Sequence, residues 1–431
     1  MADARRPAAR HAIWIILCAW LVLLCLIPQQ LWLRWLPAVR WTSLGLTLAL
    51  WWSCWPAPLL DGGDVPVLLF GAALIPSALL AQAPALALTG QLDGRPFAWI
   101  GYGDLVGTGC LWYLLAKHTI TTAQRRQHLA RWWLIVAVLV AVIGWTEMVT
   151  HHNVIFERWV PFRQYAQFIR QPRMMSTQGQ PIIVGTLLIV ALPLALIRVQ
   201  AAATVWRRCG WALVVACLAS AVVLTFSRGS LIALTVAAGS CTLAVGRRAW
   251  LLGLLIAVCA VVIAASAWSH NGRNADVAGV VRYSVQGLRH AGGPGRWDRA
   301  ALAWRMARDH PLWGVGLNHY RLLFDRYRPG NVVPKVMQIP DNMYLTLLAE
   351  TGWLGLVAFG WLVWRAGRRW HRTLALLSDP ADRGVWAALG AGWFGLLANM
   401  LTYDALLWLL PLAVFWLWLG ALHHQDVVAH A

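Results

Sequence analysis

Long apolar runs dominate this chain and decide what it can fold into. They occupy residues 12–28, 41–57, 65–83, 100–116, 132–149, 179–197, 209–226, 230–245, 249–268, 342–364, 386–402 and 404–421. Each is about 16–25 residues long, enough to cross a hydrocarbon core of about 30 Å. Within such a core every backbone polar group must be bonded internally, so runs of this length cross as helices. Composition agrees, with 59% of the 431 residues apolar and 12% charged, where soluble domains average roughly a quarter charged. The expected fold is all-α and polytopic, with about 12 transmembrane helices and residues 1–431 forming one membrane domain.

Orientation follows from Lys and Arg in the short loops. Arg5, Arg6 and Arg10 precede the first run. Then come Lys117 with Arg125, Arg126 and Arg131, Arg198 with Arg207 and Arg208, Arg247 with Arg248, and Arg365 with Arg368, Arg369 and Arg372. Twelve crossings put all of these on the side of the N-terminus, which makes that side cytoplasmic. The least regular part lies between residues 30 and 116, where LWLRWLP reads as an interfacial piece and Pro76 and Pro84 interrupt the pattern. The opening MADARRPAARHAIWIILCAWLVLLCLI has a long apolar part and no small-x-small cleavage site, so it reads as a retained helix.

The formal net charge of +19 fits positive-inside loops, and equally an anionic lipid or substrate. No soluble module is large enough to carry a nucleic-acid-binding fold. The eight cysteines include no CxxC pair and read as packing residues. The histidines show no metal-ligand spacing, so neither metal nor cofactor is expected.

Residues 209–245 are flanked by basic pairs and measure about 37 residues, too long for one crossing at 1.5 Å per residue. The chain must turn back at FSRGS, its polar interruption, with Gly229 free to adopt the backbone of the reversal. Arg228 then sits at the outer tip of a helical hairpin, either snorkelling to the interface or pointing into a site.

Two outer loops are substantial: about 150–178, and 269–340, a long, partly helical periplasmic loop. The second holds ten arginines and one lysine against four aspartates. Long loops translocate whatever their charge, so the topology stands, and an anion handled at the outer face accounts for the excess. Within it RWDRAALAWRMARD (296–309) reads as a helix ended by Pro311, with Trp297, Ala301 and Trp304 on one side and Arg296 and Arg299 on a neighbouring one. It is either an ordinary interfacial helix or a diphosphate binder, since a guanidinium fork makes two parallel charge-assisted bonds to phosphate oxygens. The following HPLWGVGLNHYRLLF has His310 as a cap, a Gly-Val-Gly turn, and then His319, Tyr320 and Arg321. His319 reads as structural or as substrate-binding.

In PDNMYLTLLAETGWLGL (340–356), Asp341 and Asn342 stand at the outer end of a span and Glu350 about two turns down. Asp341 is a helix cap or the group that accepts a proton from a sugar hydroxyl, because a shielded carboxylate is a better base. Glu350 pairs with a buried arginine or shares that role.

Together TFSRGSLIAL, GRWDRAALAWRMARDHPLWGVGLNHY and DNMYLTLLAETGWLGL resemble the O-antigen ligase and polymerase superfamily of bacterial inner membranes. The match in order and spacing covers roughly residues 170–365, and the flanking spans match only as apolar helices. The resemblance implies a multi-pass protein whose active site faces the periplasm, using glycans carried on undecaprenyl diphosphate. The acceptor would be lipid A-core or a second lipid-linked glycan, among membrane lipids. It implies essential roles for Arg228 and Arg296. Arg299, Arg321, His319, Tyr320 and Asn342 would help to bind substrate, and Asp341 would act with the arginines in catalysis. Ligases of this kind carry histidine where this chain has Asp341, a departure that leans toward a polymerase-like inverting glycosyltransferase that needs no metal. An O-antigen ligase is the alternative, and protein glycosylation a third. A transporter of lipid-linked oligosaccharide would show inverted repeats and broken helices at mid-membrane; no repeat is visible. A noncatalytic scaffold leaves the loop's charge without a task.

Overall fold

The computed structural model describes residues 2–54, 60–81, 100–150, 152–159, 173–245, 296–328 and 339–423. Every regular element among the described residues is helical. Helices α1 (Ala2–Leu26), α2 (Gln29–Cys54) and α3 (Val65–Leu79) come first. Next are α4 (Gly109–Thr119), entered through a π-helical stretch Gly103–Thr108, α5 (Ala123–Thr150) and the short α6 (Val154–Trp159). After them come α7 (Pro181–Ala201), α8 (Val205–Leu224) and α9 (Arg228–Val245). The last five are α10 (Arg296–Asp309), α11 (Tyr320–Tyr327), α12 (Met343–Leu376), α13 (Pro380–Asn399) and α14 (Leu409–Ala421).

Seven helical segments are long and apolar enough to cross a membrane, by length and composition. The chain is a multi-pass membrane protein. The other expected spans fall short in length or apolarity, as with the 13-residue α14, or lie outside the described residues, as does 249–268. The stretch 269–295 and the GGPG approach to α10 also lie outside them. LWLRWLP is not a separate piece, because α2 runs straight through it with Pro37 inside. Pro76 is likewise accommodated one turn before the end of α3.

Helix α7 is apolar on all sides and buried along almost its whole length, as expected of a helix ringed by others. It packs against α8, α9, α13 and α5, and these set the frame for the rest. At one end of the bundle, groups from the short basic loops meet. Arg126 pairs with Asp382 at 2.8 Å, Lys117 Nζ lies 2.8 Å from Asp61 and 2.5 Å from Asp64, and Arg369 contacts His423 at 2.5 Å. Sequence reasoning assigned these loops to one side, and the packing joins them there.

At the other end, α12 is broken. Gly352 has φ 64° and ψ −167°, a backbone that residues with a side chain rarely adopt. The break frees backbone groups that hydrocarbon cannot satisfy, and the turn after α10 takes them up. The amides of Trp353 and Leu354 donate to the carbonyls of Pro311 (2.8 Å) and Leu312 (3.1 Å). The carbonyls of Ala349 and Glu350 accept from Val315 and Gly316, each at 3.0 Å. Ser77 of α3 adds a hydroxyl to the Glu350 carbonyl at 2.6 Å. These bonds stitch residues 311–316 into the interrupted span and fix α10 over its start.

Candidate functional site

The reversal at FSRGS occupies Thr225–Ser227, with α9 beginning at Arg228. Its left-handed residue is Phe226, φ 47°, not Gly229, which is already helical. The lack of a side chain at Gly229 serves a close approach instead. A Cβ there would stand 1.8 Å from Thr402 Oγ1, so the hairpin tip is pressed against the connection between α13 and α14. The carbonyl of that same Thr402 accepts from Arg296 Nη2 at 3.5 Å. The hairpin tip and α10 therefore meet on one residue. Arg228 is half-buried, makes no hydrogen bond or ion pair among the described residues, and stands at the N-terminus of α9, where helix amides favour anions.

Arg296 and Arg299 lie one turn apart on α10 and converge on Asp341. Arg296 Nε reaches Asp341 Oδ2 at 3.3 Å and Arg299 Nη2 reaches the same oxygen at 2.5 Å. Arg299 is buried, and its Nε has no hydrogen-bond partner among the described residues. Trp297 and Trp304 on the same helix are exposed, while Leu302, Ala303 and Met306 pack with Tyr320, Leu323 and Phe324 beneath it. Asp341 does not cap α12. That is done by Asn342, whose Oδ1 accepts from the amides of Tyr344 (3.0 Å) and Leu345 (3.1 Å) while its Nδ2 donates to Leu401 O. Asp341 has φ 54°, and its Oδ1 makes no hydrogen bond among the described residues. Two guanidiniums thus meet one carboxylate at the end of α12, and the hairpin tip that carries Arg228 approaches through Thr402.

The other candidates are distributed around this centre. Tyr320 is buried and donates its hydroxyl to the Arg299 carbonyl at 3.0 Å, which holds the backbone of α10; burial pushes its phenol well above the ordinary range. His319 is fully buried, with Nδ1 2.7 Å from Leu317 O. Arg321 is exposed on α11. Glu350 is paired with no arginine among the described residues; its carboxylate accepts the amides of Asn318 (2.9 Å) and Tyr320 (3.0 Å) and so holds α11 to α12. A half-open cavity of about 180 Å³ lies alongside, lined by Asp104, Thr108, Asn318, Met343, Leu347 and Leu412 among others.

Two residues escaped sequence reasoning. Arg173, in the first outer loop, donates from Nε to Thr225 O at 3.0 Å and so sits on the hairpin reversal. Asp404, a lone acid in TYDALLW, is fully buried and accepts the Asp341 amide at 2.9 Å. The only warning either gives in the sequence is charge at the edge of an apolar run. Among the described residues, one group has metal-ligand character, Asp61, Asp64 and His423. It belongs to the opposite end of the bundle, and the Lys117 ammonium bonds to both of its carboxylates.

No curated protein matches the chain. Residues 212–360 match the family model described as O-antigen ligase, a span that holds the FSRGS reversal, Arg296, Arg299, Asp341 and the break at Gly352. Members of that family are glycosyl-transferring enzymes acting on lipid-linked glycans. The likeness to that family is confined to this segment, about a third of the chain.

Proposed function

We propose that this protein transfers a glycan from undecaprenyl diphosphate to an acceptor hydroxyl at the periplasmic face of the bacterial inner membrane, with inversion at C1. The observation that carries this reading is the convergence of Arg296 and Arg299 on Asp341, with the hairpin tip that bears Arg228 packed on Thr402, whose carbonyl accepts from Arg296. A diphosphate laid against Arg228 and the N-terminus of α9 reaches Arg296, and supplies the acceptor that the buried Nε of Arg299 lacks. The acceptor oxygen forms its bond to C1 as the C1–O bond to phosphate breaks. The bonding pair passes to the leaving diphosphate, where fixed cations stabilise the growing charge. The Asp341 carboxylate serves both partners. Oδ2 holds Arg296 and Arg299 in place, and Oδ1 receives the acceptor hydroxyl and its proton. Arg173 and Arg321 extend the basic surface, and the neighbouring cavity gives the lipid chain an apolar flank.

Asp341, where similar ligases carry histidine, favours polymerisation of lipid-linked repeat units. The family model's description favours ligation to lipid A-core. Deleting the gene and examining the surface glycan separates the two. Lipopolysaccharide capped with a single repeat is the polymerase outcome, and bare core with accumulated lipid-linked polymer is the ligase outcome. An unchanged surface glycan and no accumulated lipid-linked sugar would remove both.

A further inference from the structure

Asp404 lies outside the family-matched segment, in the connection between α13 and α14. It stands at the N-terminus of the 3-10 turn Ala405–Leu407, yet its side chain makes no capping bond to that turn. It is fully buried and forms no ion pair among the described residues. A carboxylate kept away from water without a cation is costly, and an apolar residue would serve packing alone more cheaply. What the carboxylate does is reach across to α12. Oδ2 accepts the Asp341 amide at 2.9 Å, and Oδ1 accepts the Thr346 hydroxyl one turn on. Asp341 is one of four non-glycine residues with positive φ among those described. That conformation is unfavourable for a residue with a side chain and persists where the surroundings hold it.

We infer that Asp404 is a positioning residue for the transfer reaction: it clamps the Asp341 backbone in its left-handed conformation and thereby aims the Asp341 carboxylate at Arg296 and Arg299. The inference rests on the proposed glycosyl transfer for its kinetic test, though not for its structural one. Released from Asp404, residue 341 relaxes to a negative φ. Its side chain then swings off α10, leaving Arg299 buried beside no counter-charge and the acceptor hydroxyl without its oxygen. Asp404 touches no substrate and acts only through Asp341.

The test uses full-length protein in nanodiscs with a lipid-linked glycan donor. Asp404→Leu is expected to lower kcat by about 100-fold, the cost of a misplacement near 1 Å, with the donor KM within about threefold. Asp404→Asn keeps an oxygen for the Asp341 amide and is expected to stay within about fivefold of the parent, since the hydrogen bond and not the charge is what matters. In the Asp341→Asn background, Asp404→Leu is expected to add almost nothing, because the two act as one unit. A structure of Asp404→Leu is expected to show Asp341 detached from Arg299. If that variant does not fold, Thr346→Val, which removes one of the two donors to Asp404 and keeps the shape, is expected to lower kcat by about tenfold. Full additivity with Asp341→Asn, or a variant structure that retains the positive φ and the Arg299 contact, overturns the inference. An Asp404→Leu enzyme as fast as the parent while Arg228→Ala is dead overturns it alone. An active Arg228→Ala enzyme sinks the transfer mechanism and leaves the structural outcome to decide Asp404.

Discussion

Two charged clusters sit near opposite ends of α12, and they are built to different rules. The inner one joins Asp61, Asp64, Lys117, Tyr113, Arg369 and His423. Two cations meet two carboxylates, the Lys117 and Asp64 side chains are fully buried, and the Tyr113 hydroxyl lies 2.6 Å from both Asp64 and His423. The outer one has two guanidiniums on Asp341. Arg296 is left 37% exposed, and Arg299 keeps a buried donor without a partner. A balanced cluster costs desolvation and returns specific packing. A cluster with surplus positive charge keeps a buried donor unspent, which is what the proposed anionic donor would engage. Charge alone did not separate them, since both are rich in basic residues. Balance and a donor left without a partner did.

The largest effect that could break this contrast is at the hairpin tip. Arg228→Ala is expected to cut turnover by about a thousandfold or more while the protein still reaches the membrane and melts within a few degrees of the parent. Near-parental turnover would put Arg228 outside the site. Lys117→Met should do the reverse, since the buried Asp64 carboxylate without its cation costs about 3–5 kcal/mol. A lowered melting temperature with kcat per folded molecule unchanged is the expected result, and a selective loss of kcat would erase the distinction between the clusters. Arg299→Lys keeps the charge but not the fork, and is expected to cost about 10–100-fold in kcat/KM. A smaller effect concerns pH. Burial first, then Arg369 and Lys117, hold His423 well below its ordinary value, at about 4, against the opposing pull of Asp61 and Asp64. The folded protein therefore binds fewer protons than the unfolded chain as pH falls from about 6.5 toward 4, so stability declines across that window. Melting curves of His423→Gln should be flatter there; an identical slope would mean that the inner cluster does not titrate as a unit.

Much of the architecture was legible because membrane helices obey a local rule of length and polarity. The hairpin at FSRGS followed from counting residues, and α10 from its periodicity and Pro311. Whatever depended on contact between distant segments was not legible. Gly229 was read as the flexible point of the reversal, yet its role is to admit Thr402, some 170 residues away in sequence and invisible to any local pattern. Glu350 was expected to meet an arginine and instead holds two amides of α11. Asp404 gave no periodic signal, because a single acid beside an apolar run has the same appearance whether it caps a turn or orients another residue.

The stitching of residues 311–316 into the gap at Gly352 also bears on how relatives of this chain diverge. Adding or removing one residue within 311–316 would break the register of these bonds and displace α10 from its place beside Asp341. The interval from 296 to 316 should therefore keep a constant count, even among relatives that have exchanged one sugar for another.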